Sequence, residues 1–134
     1  MESILSLFKA EPYSKEFEIN GVKAKLRVLT SKEFDEIMAR ANISLSDLVS
    51  KRAMIRRPIL SYSLVSLNGA KVEDFKDYKE IEQSYKDKKE EYTRNMILEE
   101  LLGKFDSLLV DSLYSLYETL EQEKAKELEE VKKA

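Results

Sequence analysis

The sequence predicts an α+β fold, mostly α: an N-terminal β-hairpin packed on a helical bundle with two long C-terminal helices. Three observations carry this. An alternating stretch turns at Asn20-Gly21, and a capped amphipathic segment follows from Thr30. From Lys71 onward, sparse and then denser apolar residues sit at helical spacing within a mostly charged sequence.

The hairpin is the most self-consistent piece. A two-residue turn at Asn20-Gly21 sets Ile19 against Val22 and Phe17 against Ala24, with Leu26 and Val28 continuing the same face. Glu16, Glu18, Lys23, Lys25 and Arg27 fall on the other face. Asn-Gly suits a type I′ turn because both central residues need positive φ. A slip of one residue would turn the whole apolar set into water. Thr30 then stands at an N-cap position with Glu33 three residues on, the spacing of a capping box. Phe34, Ile37, Met38 and Ala41 give that helix one buried stripe.

After a break at Asn42, Ser44 and Asp47 can start a second helix with Leu45, Leu48, Val49 and Ile55 turned inward. Pro58 removes an intrahelical hydrogen bond and crowds the preceding turn, so a kink or restart is expected near Arg57. The run 59–67 reads as helix to about Ser63 and then as a short extended piece. A second Asn-Gly at 68–69 suggests another small hairpin or turn. Tyr78, Tyr85 and Tyr92 recur every seven residues as a narrow stripe on a charged helix, which Ile97, Leu98, Leu101 and Leu102 enrich. Gly103 reads as a left-handed helix end. Asp106 can cap the last helix, whose stripe is Leu109, Leu113, Leu116 and Leu120, widened by Val110, Tyr114 and Tyr117. The two C-terminal helices are expected to form an antiparallel pair around Gly103. The organisation is an N-terminal docking segment at 1–15, one α+β domain at 16–122 and a charged helical tail at 123–134.

Composition narrows the function. The chain has 134 residues, enough for one core, and a net charge of −3 from 23 basic and 26 acidic side chains. No global field attracts nucleic acid or an anionic membrane. No window is long and apolar enough for a membrane span, and the N-terminus lacks the marks of a signal peptide. There is no histidine and no cysteine, which removes the usual general base, thiol nucleophiles and the commonest metal ligands. Of three glycines, two belong to turns and one to a helix end, leaving none to cradle a phosphate. Glu99-Glu100 and Glu129-Glu130 read as solvated helix surface, not as metal ligands. The chain is therefore expected to be no enzyme and to hold no cofactor or metal.

Partner binding is the expected use of its surface. Ile4, Leu7 and Phe8 form a short apolar patch that either folds back on the core or docks on a partner. Lys51, Arg52, Arg56 and Arg57 form the sharpest charge feature: either a grip on phosphate or an acidic partner, or a helix face paired with the chain's own carboxylates. No aromatic residues are interleaved with that cluster, unlike a single-strand binding platform. Leu113, Leu116, Tyr117 and Leu120 complete the candidate contact residues, as the apolar face of the last helix.

The stretches FEINGVKAKLRVLTSKEFDEI, RRPILSYSLVSLNG and LLVDSLYSLYETLEQE resemble the small tail-assembly chaperones and baseplate-hub assembly proteins of tailed bacteriophages. The resemblance spans roughly residues 16–122, and its motifs are structural. It implies a protein made in the host cytoplasm that binds other tail or baseplate components, with no catalytic residues. Such a protein acts transiently during assembly or stays in the virion, and self-association is open to it. The rival readings are a permanent neck, tail or baseplate subunit and, less favoured, a nucleic-acid-binding accessory protein.

Overall fold

The computed structural model describes residues 13–133. A four-stranded antiparallel sheet comprises β1 (Ser14–Ile19), β2 (Val22–Arg27), β3 (Leu64–Leu67) and β4 (Ala70–Lys71), side by side in that order. The helices are α1 (Ser31–Ala41), α2 (Leu48–Lys51), α3 (Arg56–Ser63), α4 (Lys76–Asp87), α5 (Arg94–Gly103) and α6 (Ser107–Lys133). Short 3₁₀ turns at Leu45–Asp47, Arg52–Ile55 and Val72–Asp74 link them. No described helix is long and apolar enough to cross a membrane.

The first hairpin has the register its alternation requires, with Ile19 opposite Val22 and Phe17 opposite Ala24. Asn20 (φ 51°) and Gly21 (φ 79°) both take the positive φ of a type I′ turn. Asn68 (φ 50°) and Gly69 (φ 81°) repeat it between β3 and β4. The capping box at α1 is complete: the Glu33 N–H donates to Thr30 Oγ1 at 3.2 Å, and the Thr30 N–H donates to Glu33 Oε1 at 2.8 Å. A bidentate Arg27–Glu33 contact, at 2.8 and 2.6 Å, ties the end of β2 to the same cap.

Long-range pairing completes the sheet. Ala24 lies opposite Leu67 and Lys25 opposite Ser66, then the register shifts so that Leu26 meets Leu64. This bulge leaves Val65 extra in β3. Ser63 Oγ donates to the Arg27 carbonyl at 2.7 Å where α3 hands over to β3. Arg94 caps the same junction, reaching the Leu64 carbonyl at 2.6 Å while its Nε holds Glu73 at 2.7 Å. The core gathers Ala24 and Leu26 from the sheet with Ile59, Leu60, Ile97, Leu98, Leu102, Tyr117 and Leu120 from the helices.

Several expectations are corrected. Leu45 and Val49 point outward, at 79% and 91% exposure, while Leu48 is half-buried and Ile55 buried. The alternation of 3₁₀ and α turns changes the residue angle, so one continuous 3.6-residue stripe does not exist there. The charged helix breaks at 88–93, where Lys89 adopts φ 56°, so Tyr92 is not on the helix that carries Tyr78 and Tyr85. Tyr92 still meets Tyr85, ring centroids 5.7 Å apart. Gly103 ends α5 without a left-handed φ. Its missing side chain instead admits the Arg57 guanidinium, whose Nη1 would lie 2.7 Å from an added Cβ. The helices flanking Gly103 do not form a mutual pair; α5 and α6 both pack on α3, which lies between them. Lys15 Nζ of β1 lies 3.0 Å from Glu123 of α6.

Candidate interaction surface

The candidate surface is built around the first half of α6. Asp106 starts that helix, accepting from the Leu109 N–H at 2.9 Å. Val110, Leu113, Tyr114, Tyr117 and Leu120 then face the core, which leaves Leu108, Ser112 and Ser115 outward. A groove lies on either side of this ridge, and Ser115 lines both. One groove, about 560 Å³, runs between the hairpin tip at Glu18–Asn20 and Leu108, Leu109 and Leu116. The other, about 530 Å³, runs between α6 and the segment carrying Leu48, Val49, Arg52 and Arg56. Leu108 is 76% exposed, and Leu45, Val49 and Met54 also stand out in water on the segment that forms the second groove's far side.

The predicted contact residues divide into three sets. Ile4, Leu7 and Phe8 lie outside the described residues. Leu113, Tyr117 and Leu120 are core residues, at 3%, 0% and 0% exposure, and offer no surface to a partner. The sheet and α3 cover this stripe, and of its residues only Leu116, half-buried, reaches a groove. The arginine cluster is present but largely spent on the chain itself. Lys51 Nζ lies 3.8 Å from Asp47, Arg56 Nε lies 2.9 Å from Asp111, and Arg52 forms an ion pair with Glu121. Arg57 is exposed beside Gly103.

Arg52 is the most constrained of these. Its Nε donates to Tyr114 Oη at 2.7 Å, and its guanidinium lies 5.5 Å from the centre of the Phe34 ring. Glu121 also accepts from the Tyr117 hydroxyl at 3.2 Å, and that hydroxyl accepts from the Leu29 N–H at 3.3 Å. Burial raises the Glu121 carboxyl, and Arg52 only partly offsets it. Burial also pushes the Tyr117 hydroxyl well up, with Glu121 adding to the effect. This cluster joins α6 to the segment before α3 and to the end of the hairpin. Its donors and acceptors are used internally, so it acts as a brace.

Among the described residues no group of three or more acidic side chains is placed to hold a metal ion. The outward apolar residues were the signal that sequence reading missed. Leu108 sits one position before the predicted stripe, and helical spacing places Leu45 and Val49 in the interior. Only the packing of α6 tells which of its leucines are covered. No protein-family model, curated protein or solved structure matches the chain. The functional reading therefore rests on these residues and on the resemblance of their pattern.

Proposed function

We propose that this is a non-enzymatic assembly protein of a tailed-phage tail or baseplate, acting by protein–protein contact from the host cytoplasm. The observation that supports it is the gathering of Val49 and Leu108 beside two grooves that share one helical ridge. Large apolar side chains left in water next to concave surface are what a protein partner covers. The resemblance of three stretches to phage assembly proteins supplies the biological setting. A nucleic-acid role is not proposed, since three of the four clustered basic side chains face carboxylates of the same chain.

The test is co-expression with each structural protein encoded beside it, followed by light scattering of the purified species. A defined complex that weakens on Val49→Asp or Leu108→Asp supports the reading. A self-assembled ring or larger oligomer that ignores every tail component would sink it. Counting copies in purified particles separates a transient assembly factor, which is absent, from a permanent subunit, which is stoichiometric.

A further inference from the structure

We infer that the open edge of β1 is the site at which a partner adds an extended, basic strand to the sheet. This deepens the proposal of a protein-contact function and rests on it for biological purpose, though the geometry stands alone.

β1 is the outer strand, paired only with β2 among the described residues. The two-residue turn makes Ile19 and Val22 a hydrogen-bonded pair, so Phe17–Ala24 and Lys15–Leu26 are the next ones along. The Val28 N–H donating to the Tyr13 carbonyl at 2.8 Å continues that series. By alternation, the N–H and C=O groups of Ser14, Glu16 and Glu18 point away from β2, toward the open edge. An unpaired edge of this kind is a ready template for another strand.

The side chains on that edge select what can add. A second copy pairing antiparallel through its own β1 must oppose outward-bonding residues to each other, which allows four registers that pair three or more residues of β1. These set Lys15 against Lys15, Glu16 against Glu16, Glu16 against Glu18, or Glu18 against Glu18. Each places like charges directly across the ladder, which is unfavourable. Glu16 and Glu18 face Lys25 and Lys23 across β2, and a strand carrying Lys or Arg opposite them on the open edge continues that alternation of charge. On the other face of that added strand, side chains would stand on the side of Phe17 and Ile19. There the groove floored by Leu108, Leu109 and Leu116 opens at the Ile19 end, with Glu18 and Asp106 and no basic residue among its lining. The occupant that fits is therefore a partner segment alternating basic and apolar residues.

The probe is a short synthetic peptide, Leu-Lys-Val-Lys-Val-Lys-Leu, with its Glu counterpart as control, followed by amide hydrogen exchange read by NMR. The Lys peptide is expected to slow exchange at Ser14, Glu16 and Glu18 about tenfold at ~90% occupancy. The Glu peptide is expected to leave them unchanged. Glu16→Pro removes an N–H that β2 does not use, so the fold should survive while protection is lost. The double variant E16Q/E18Q, which puts no like charge opposite Lys25 and Lys23, should remove the preference for the Lys peptide. No protection at millimolar peptide, equal binding of both peptides to the unaltered chain, or protection unaffected by Glu16→Pro would each overturn the inference. A tail protein captured in co-expression without any change at these three amides would also overturn it, while leaving the assembly role standing.

Discussion

The hairpin with α1 and the segment from Leu45 to Ser63 are held by opposite means. In the first, the devices that fix turn, register and cap are local, and the long-range contacts from β3, Ser63 and Tyr117 add to a shape already set. The type I′ turn is two residues, the capping box spans Thr30 to Glu33, and Arg27 meets Glu33 six positions on. In the second, short 3₁₀ and α pieces follow each other with no side-chain cap on any of them. They are ordered from outside: Arg52 by Glu121 and Tyr114, Arg56 by Asp111, and the end of α3 by Arg94. A region closed by local contacts can form early and tolerates loss of its neighbours. A region closed at long range is only as stable as the helix that braces it.

The strongest way to break this contrast is at Tyr117, the fully buried residue whose hydroxyl joins the Leu29 amide to Glu121, the partner of Arg52. Tyr117→Ala is expected to cost about 3–5 kcal/mol, as large aromatic truncations in a core do. The midpoint of urea unfolding measures it. Arg52→Ala comes next. It leaves Glu121 half-buried without its cation, and a loss of about 1–3 kcal/mol is expected. Hydrogen exchange should show that opening concentrated in 45–63, with the amides of β1 and β2 little changed. Equal loss of protection in both regions would contradict the division.

Glycine substitutions sharpen it further. Gly21→Ala forces a side chain into φ 79° and should cost about 1–2 kcal/mol. Gly103→Ala meets only the far end of the Arg57 side chain, which can swing away into solvent. It should be neutral or stabilise by up to about 1 kcal/mol through better helix propensity. The paired thermal midpoints decide whether Gly103 serves as a backbone requirement or simply as room.

The smallest effects are in pH dependence, where the two regions should differ in sign. Burial tends to raise Glu33, but Arg27 and the Thr30 amide outweigh it and hold the carboxyl below its ordinary value of 4.5. A depressed carboxyl contributes stability above its unfolded pKa and loses it as pH falls through the folded value. Glu121 is raised by burial, so the folded state holds its proton more tightly than the unfolded chain does. Its contribution therefore declines as pH rises from 4.5 through the folded value. Unfolding midpoints against pH should lose their acid-side drop in Glu33→Gln and their decline above pH 4.5 in Glu121→Gln.

Legibility in the sequence followed the range of the contacts. The hairpin register, the capping box, the restart near Pro58 and the passage from helix to strand after Ser63 all depend on residues within a few positions. They were readable for that reason. The candidate surface was not. Leu116 and Leu113 look alike in sequence, and Val49 looks like a core residue, because periodicity gives a stripe but not the element that covers it. Pairing of Arg52 and Arg56 with the chain's own carboxylates is one of the two readings the sequence allows, but which carboxylates is not legible, because Glu121 and Asp111 are 69 and 55 positions away.

By itself, the sequence determined the α+β class, both Asn-Gly turns, the capped helix and the lack of histidine and cysteine chemistry. Each is a property of single residues or near neighbours. The tertiary structure decided that β3 joins β2, that α3 separates α5 from α6, and which apolar side chains remain in water. Those outcomes depend on which of several similar surfaces packs first and best. That is a comparison among distant parts of the chain, and no local pattern contains it.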